Sequence, residues 1–286
     1  MKLWITGANG LLGSTLMKMC EAIGTGHQEA DIGDLASLRA FVRKRFGITH
    51  IVNCAAYSLV DLSETNREEA YRANALGAEN LALIAKETGA RLIHISTDYV
   101  FGGEPQRPLK ETDPVSPCNI YGQSKLEGEM RVQKVLPDAC ILRVSWIFGN
   151  GGKNFVAKLL QMLQTQKEIR LTSDQWGRPG YVIDIAEVIL RMLDAQGIYQ
   201  FANAGVATKY EFGLVMKEEA EKLGIKVVTE KMIPVPGSFF SSPCKRPAYS
   251  AFDTTKIERD FQISPRHWRD ALREFLVQHA PAAASL

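Results

Sequence analysis

Four short apolar runs, at 3–6, 48–53, 91–95 and 139–144, each end in small or polar residues and are each followed by a stretch with helical periodicity. That alternation constrains the chain most: parallel strands joined by crossover helices, an α/β doubly wound sheet. The intervening helices are predicted at 13–22, 35–45, 66–88 and 121–136, the third carrying Ala70, Asn74, Gly77 and Leu81 at helical spacing. Past residue 150 the rhythm changes. Helices are predicted at 154–164, 185–194, 210–223 and 268–279 and a short strand at 198–202, separated by the loop-rich "TSDQWGRPGYVIDI" and a proline-rich segment, 234–248. Proline and glycine at that density predict a smaller, irregular C-terminal lobe.

A chain of 286 residues, 45% hydrophobic and 23% charged, has ample material for a buried core. Its formal charge of +2 provides no electrostatic case for nucleic acid or an acidic membrane face. Cys20, Cys54, Cys118, Cys140 and Cys244 are scattered, odd in number and without a Cys-x-x-Cys pair, which argues against a disulfide framework or a zinc knuckle. No apolar run approaches membrane-spanning length, and Gly7 arrives too early for a signal-peptide apolar region. The expectation is a cytoplasmic protein with no membrane span and a frayed tail over 280–286.

In an open parallel sheet the ligand lies beyond the carboxyl ends of the strands, so those ends are where chemistry is sought. The first is "ITGANGLLG", with Gly7, Gly10 and Gly13 between a strand and a helix. Glycine there lets backbone approach a pyrophosphate, whose charge meets the free amides of the helix start. This makes the sheet Rossmann-like, with 1–150 a dinucleotide-binding domain and 151–286 mainly a substrate lobe, some of whose segments return to the first domain. At the second end, "IVNCAAY", Asn53, Ala55 and Ala56 are small enough for a cofactor to lie against the chain, although tight helix packing uses the same residues. At the third, Ser96, Thr97 and Asp98 place hydroxyls where a substrate oxygen could be met, or simply form a turn. At the fourth, Trp146 could stack on a base or sugar, or fill the core.

Downstream, "NIYGQSKLEGE" sets Tyr121 and Lys125 four apart, on one helical face. Both heads could serve one ligand, and a solvated surface pair would look the same.

Taken together, the glycine loop, "STDYVF", "ETDPVSPCNIYGQSKLEGE" and "RVSWIFG" resemble the extended short-chain dehydrogenase/reductase superfamily, and within it the dTDP-4-dehydrorhamnose reductase family. "AAYSLVDLSE", "GKNFV", "DQWGRP" and "RPAYSAFDTTKI" extend the likeness over nearly the whole chain. The resemblance implies reduction of the C4 ketone of dTDP-4-dehydro-L-rhamnose by NADPH or NADH, with a dTDP-sugar as partner and a homodimer as assembly. It implies Tyr121 as proton donor, Lys125 as the holder of the nicotinamide ribose that also lowers the phenol's pKa, and Thr97 as second donor to the ketone oxygen. Asp98, Tyr99, Val60 and Trp146 would meet the sugar nucleotide. Asn9, Leu11 and Leu12 would lie along the pyrophosphate, Ala56, Tyr57 and Ser58 beside the ribose and nicotinamide half, and Asp31 and Ile32 next to adenine.

Some positions depart from the pattern. The 17 residues between Gly13 and Asp31 end without the apolar run of a second strand, so the residue that selects between coenzymes has no evident counterpart. Ser14-Thr15 stands where some family members carry a magnesium-binding carboxylate, and no metal is expected. Pro179-Gly180 replaces the family's Pro-Thr. Two rivals share the motifs: a non-catalytic nucleotide-binding subunit like the regulatory partner of methionine adenosyltransferase, and a reductase or epimerase of another nucleotide sugar. Intact Thr97, Tyr121 and Lys125 favour an enzyme.

Overall fold

A computed structural model describes residues 1–104, 107–152 and 154–281. Part of the "GKNFV" motif and most of the expected frayed tail lie outside the described residues. The central sheet has six strands, β1 (Leu3–Thr6), β2 (Ile23–Thr25), β3 (His50–Asn53), β4 (Arg91–Thr97), β5 (Cys140–Val144) and β6 (Gly197–Phe201). All pair in parallel, in the order β6-β5-β4-β3-β1-β2. The register sets Thr6 beside Asn53 and Thr97 beside Val144, which aligns the carboxyl ends along one edge.

Alternate residues of the strands bury opposite faces, and each face has its own helices. Leu3, Ile5, Ile93 and Leu142 pack under α1 (Leu11–Met19) and α6 (Val182–Arg191). Trp4, Ile51 and Leu92 pack under α2 (Leu35–Arg43), α3 (67–88) and α4 (Ile120–Val135). Helix α3 comprises Arg67–Tyr71, a π turn at Arg72–Leu76 and Gly77–Thr88, so the helical spacing read across Ala70 to Leu81 is interrupted in its middle. The π turn faces α4, whose Gly128 lies so close to the Asn74 carbonyl that any side chain would collide with it.

The stretch after Gly13 does contain a second strand, against the sequence expectation. It is only three residues long, pairs with β1 alone, and is pinned where Thr25 Oγ1 accepts from Trp4 Nε1 at 2.9 Å. A strand this short leaves no apolar run to read, and its place comes from tertiary contacts.

A second apolar cluster joins Phe148, Leu159, Phe212, Trp268 and Phe275 from α5 (Phe155–Thr165), α7 (Lys209–Lys222) and α9 (Trp268–Val277) with their neighbours. Two unpredicted strands, Glu168–Thr172 and Lys231–Val235, pair beside it in parallel. From the same half of the chain, α6, β6 and α8 (Thr255–Phe261) add residues to the sheet's own core.

Candidate active site

A cavity of about 1010 Å³ runs along the carboxyl edge of the sheet. Its floor is the glycine loop. Gly7 sits at φ +68°, and a Cβ there would lie 2.6 Å from the Ala55 nitrogen. A Cβ on Gly13 would collide with the Gly7 carbonyl, so the loop closes on itself only with glycine at both places. Gly10 caps α1 with no side-chain partner, and the amides of Leu11, Leu12 and Gly13 begin the helix beside the cavity. Free amides, the positive helix end and bare backbone fit a dinucleotide diphosphate.

Asn9, Asp31 and Ile32 line one end of the cavity, with Gly26, His27 and Arg72. Arg72 pairs with Asp31, and the contact holds that carboxyl below its ordinary range against the cost of burial. Arg72 carries no motif signal, because it reaches the site from the π turn of α3.

Ala55, Ala56, Tyr57, Ser58 and Val60 form the next wall. Asn74 holds it: its side chain accepts from the Tyr57 nitrogen at 2.8 Å and donates to the Tyr57 carbonyl at 3.1 Å and to Ser124 Oγ at 2.9 Å. Asn53 does not line the cavity. It accepts from Thr6 Oγ1 at 2.8 Å and from the Ala55 nitrogen at 3.1 Å, and donates to His94 Nδ1 at 2.9 Å, tying β1, β3 and β4 together.

Thr97, Asp98 and Tyr99 follow β4. Thr97 Oγ1 donates to Asp98 Oδ1 at 3.2 Å and accepts from the Tyr99 nitrogen at 3.2 Å. Ser250 donates to Asp98 Oδ2 at 2.6 Å, and burial pushes the Asp98 carboxyl up to about 6. Ser96 differs from the open reading: its hydroxyl turns inward to Glu129, which forms a buried ion pair with Arg143 at 2.7 Å.

Tyr121 and Lys125 stand on the first turns of α4. Asn119 caps this helix by accepting from the Gly122 nitrogen at 2.8 Å, and Gly122 lets the turn lie against the Tyr99 carbonyl. The Tyr121 ring meets Tyr99 edge-on at 5.6 Å. Burial pushes its phenol up to about 12, while the Thr97 hydroxyl beside it pulls down. Lys125 is buried, pulled to about 8 by desolvation, and its Nζ donates to the Ile95 carbonyl at 2.6 Å. The expected lowering of the phenol by Lys125 is therefore absent in the chain alone, where desolvation dominates.

Trp146 completes the far wall in the left-handed region, φ 41°, a conformation costing about 1–3 kcal/mol for a non-glycine residue. That turn swings the indole over Gly177, where a Cβ would lie 2.5 Å from the ring. Gly177 belongs to "DQWGRP" and Ser250 and Arg246 to "RPAYSAFDTTKI", so those motifs were signals for residues that sequence reasoning left unassigned. Lys209 had only the Thr208–Glu211 capping box beside it.

Apart from Asn53, the sequence-predicted site residues thus line one cavity. Sheet order, glycine loop and Tyr-Lys helix define a Rossmann-type nucleotide-binding protein of the short-chain dehydrogenase/reductase kind. The model of the family described as RmlD substrate binding domain matches residues 1–280, and the chain belongs to that family. It is 38% identical to the spore coat polysaccharide biosynthesis protein SpsK of Bacillus subtilis, over 98% of this chain and 99% of that one. It is 35% identical to a dTDP-4-dehydrorhamnose reductase of Mycobacterium tuberculosis, over 98% and 93%. The crystal structure of the Bacillus anthracis dTDP-4-dehydrorhamnose reductase in complex with NADP superposes with a TM-score of 0.91 at 31% identity, covering 97% of this chain and 99% of that one.

Proposed function

We propose that this protein reduces the C4 ketone of dTDP-4-dehydro-L-rhamnose to give dTDP-L-rhamnose, using NADPH or NADH. One observation carries the reading: Thr97, Tyr121 and Lys125 come from β4 and α4 onto the wall of the cavity that the glycine loop floors. The relatives' names support the substrate class. In this reading residues 1–150 bind the dinucleotide, 151–286 mainly bind substrate, and β6 and α8 return to the sheet.

The bound nicotinamide supplies the hydride to C4. Asn9, Leu11 and Leu12 follow the pyrophosphate, and Asp31 and Ile32 the adenine. Ala56, Tyr57, Ser58 and Lys125 hold the ribose of the nicotinamide. Tyr121 donates its proton to the substrate oxygen. A phenol held near 12 keeps that proton until charge develops on the oxygen, and an alkoxide, being the stronger base, then takes it. The reduction direction therefore needs no prior lowering of the phenol. Thr97 donates to the same oxygen after turning from Asp98, stabilising charge as it forms. Asp98, Tyr99, Val60 and Trp146 shape the sugar pocket. The described cysteines are all free, which supports the cytoplasmic assignment, and self-association as a homodimer belongs to the same proposal.

The test is a matrix of initial rates over dTDP-, UDP- and GDP-linked 4-keto sugars with each coenzyme. Fastest turnover with dTDP-4-dehydro-L-rhamnose is expected. Tight nucleotide binding without any oxidation of the coenzyme would refute an enzyme.

A further inference from the structure

Lys209 opens α7 immediately after its Thr208 cap and lines the cavity on the Trp146 side. Its Nζ lies 5.0 Å from the Phe155 ring centroid and 5.7 Å from that of Trp146. Among the described residues it has no hydrogen-bond acceptor and no carboxylate within ion-pairing distance. Aromatic faces alone are weak company for a half-buried ammonium. Burial pulls its pKa to about 8, the Arg246 guanidinium pulls the same way by repulsion, and the Asp98 and Asp61 carboxylates oppose both. Two cations facing one space is an arrangement that folding alone does not favour.

Arg246 is held ready on that side. Its Nη2 donates to both oxygens of Asp61 at 3.0 Å, and Nη1 donates to Ser242 Oγ at 2.7 Å. Its Nε has no partner among the described residues. The cavity's other fixed cations are already committed: Arg72 to Asp31, and Lys125 to the Ile95 carbonyl.

We propose that Lys209, seconded by Arg246, is the subsite for the diphosphate of the nucleotide sugar, placing that dianion beside the Trp146 indole. This rests on the reading that the substrate is a nucleotide sugar. The diphosphate is its only charged part, and Lys209 is a half-buried cation of the cavity with neither a hydrogen-bond acceptor nor a carboxylate partner among the described residues. Charge-assisted hydrogen bonds of this kind change affinity by about tenfold to a hundredfold. Arg246 then needs Asp61 for orientation, and the indole spaces the sugar from the anion site.

The experiment is calorimetric titration of the full chain, its Lys209→Met and its Lys209→Arg variants with dTDP, thymidine and NADP⁺, with melting curves to establish folding. Lys209→Met should weaken dTDP at least about tenfold while thymidine and NADP⁺ stay within about twofold, and Lys209→Arg should recover most of the loss. Unchanged dTDP affinity in folded Lys209→Met overturns the subsite, as does an equal loss for thymidine and dTDP, which would signify lost packing. If UDP or GDP binds in place of dTDP with the same dependence on Lys209, the subsite stands and the dTDP-sugar reading falls. A wild-type chain that binds none of the three diphosphates overturns the subsite.

Discussion

The two ends of the cavity are made of different material. The glycine-loop end, the proposed coenzyme end, is mostly backbone: glycines at 7 and 13 that tolerate no Cβ, the open amides of α1, and a wall held through the main chain of Tyr57 by Asn74. The Trp146 end, the proposed substrate end, is side chains brought from far apart: Trp146 after β5, Gly177 under its ring, Lys209 on α7, Arg246 and Ser250 from the last quarter of the chain. Backbone recognition suits a diphosphate shared by every dinucleotide. Side-chain recognition suits a ligand that must be told from its relatives, and it can be altered one residue at a time. Substitutions at the coenzyme end should therefore harm folding and binding together, whereas those at the substrate end should separate them.

The largest effect is expected where the two ends meet. Tyr121→Phe removes the proton donor and little volume, so kcat should fall about 10²–10⁴-fold with coenzyme affinity within about twofold. Steady-state kinetics beside coenzyme titration checks this, and near-normal turnover would remove Tyr121 from the acid role.

Asp98 sharpens the contrast through pH. Its carboxyl titrates near 6 in the fold against its usual 3.8, so the folded state binds the proton more tightly. The stability this proton contributes is complete below about pH 4 and is lost as pH rises through about 6. A shift of about two units corresponds to about 3 kcal/mol. Asp98→Asn, which cannot ionise, should melt higher than the wild type by a margin that is larger at pH 8 than at pH 4. An equal margin at both would show that burial of this charge is not what the site bears.

Gly13→Ala tests the coenzyme end. The added methyl meets the Gly7 carbonyl, and overpacking of this kind costs about 1–3 kcal/mol. Melting temperature and coenzyme affinity should drop together. Gly177→Ala is the matching change at the other end and the smallest in stability, under about 1 kcal/mol, because the indole it meets can shift. Substrate KM should rise about tenfold with coenzyme KM unchanged, and a parallel rise in both would erase the distinction between the two ends.

The glycine-loop end of the cavity was legible from the sequence for the same reason that it is made of backbone. Glycine spacing, small residues after β3 and a Tyr-Lys pair are contiguous, local requirements, and local requirements show in a linear string. Illegible were β2, too short for a pattern, and the π turn that brings Arg72 to the cavity and Asn74 behind its wall. Asn53 and Ser96 have residue types that suit ligand contact, yet one ties strand ends together and the other serves Glu129. Residue type and position alone do not say which way a side chain turns.

By itself the sequence determined the parallel sheet, the glycine loop and the chemical groups available for proton and hydride traffic, since periodicity, bare backbone and side-chain chemistry are properties of short segments. Only the tertiary structure decided that Lys209 and Arg246, 37 positions apart, face one cavity wall, that Trp146 turns left-handed over Gly177, and that Asp98 titrates near 6. Desolvation and charge proximity depend on what packs around a group in space, and no segment of the chain carries that information alone.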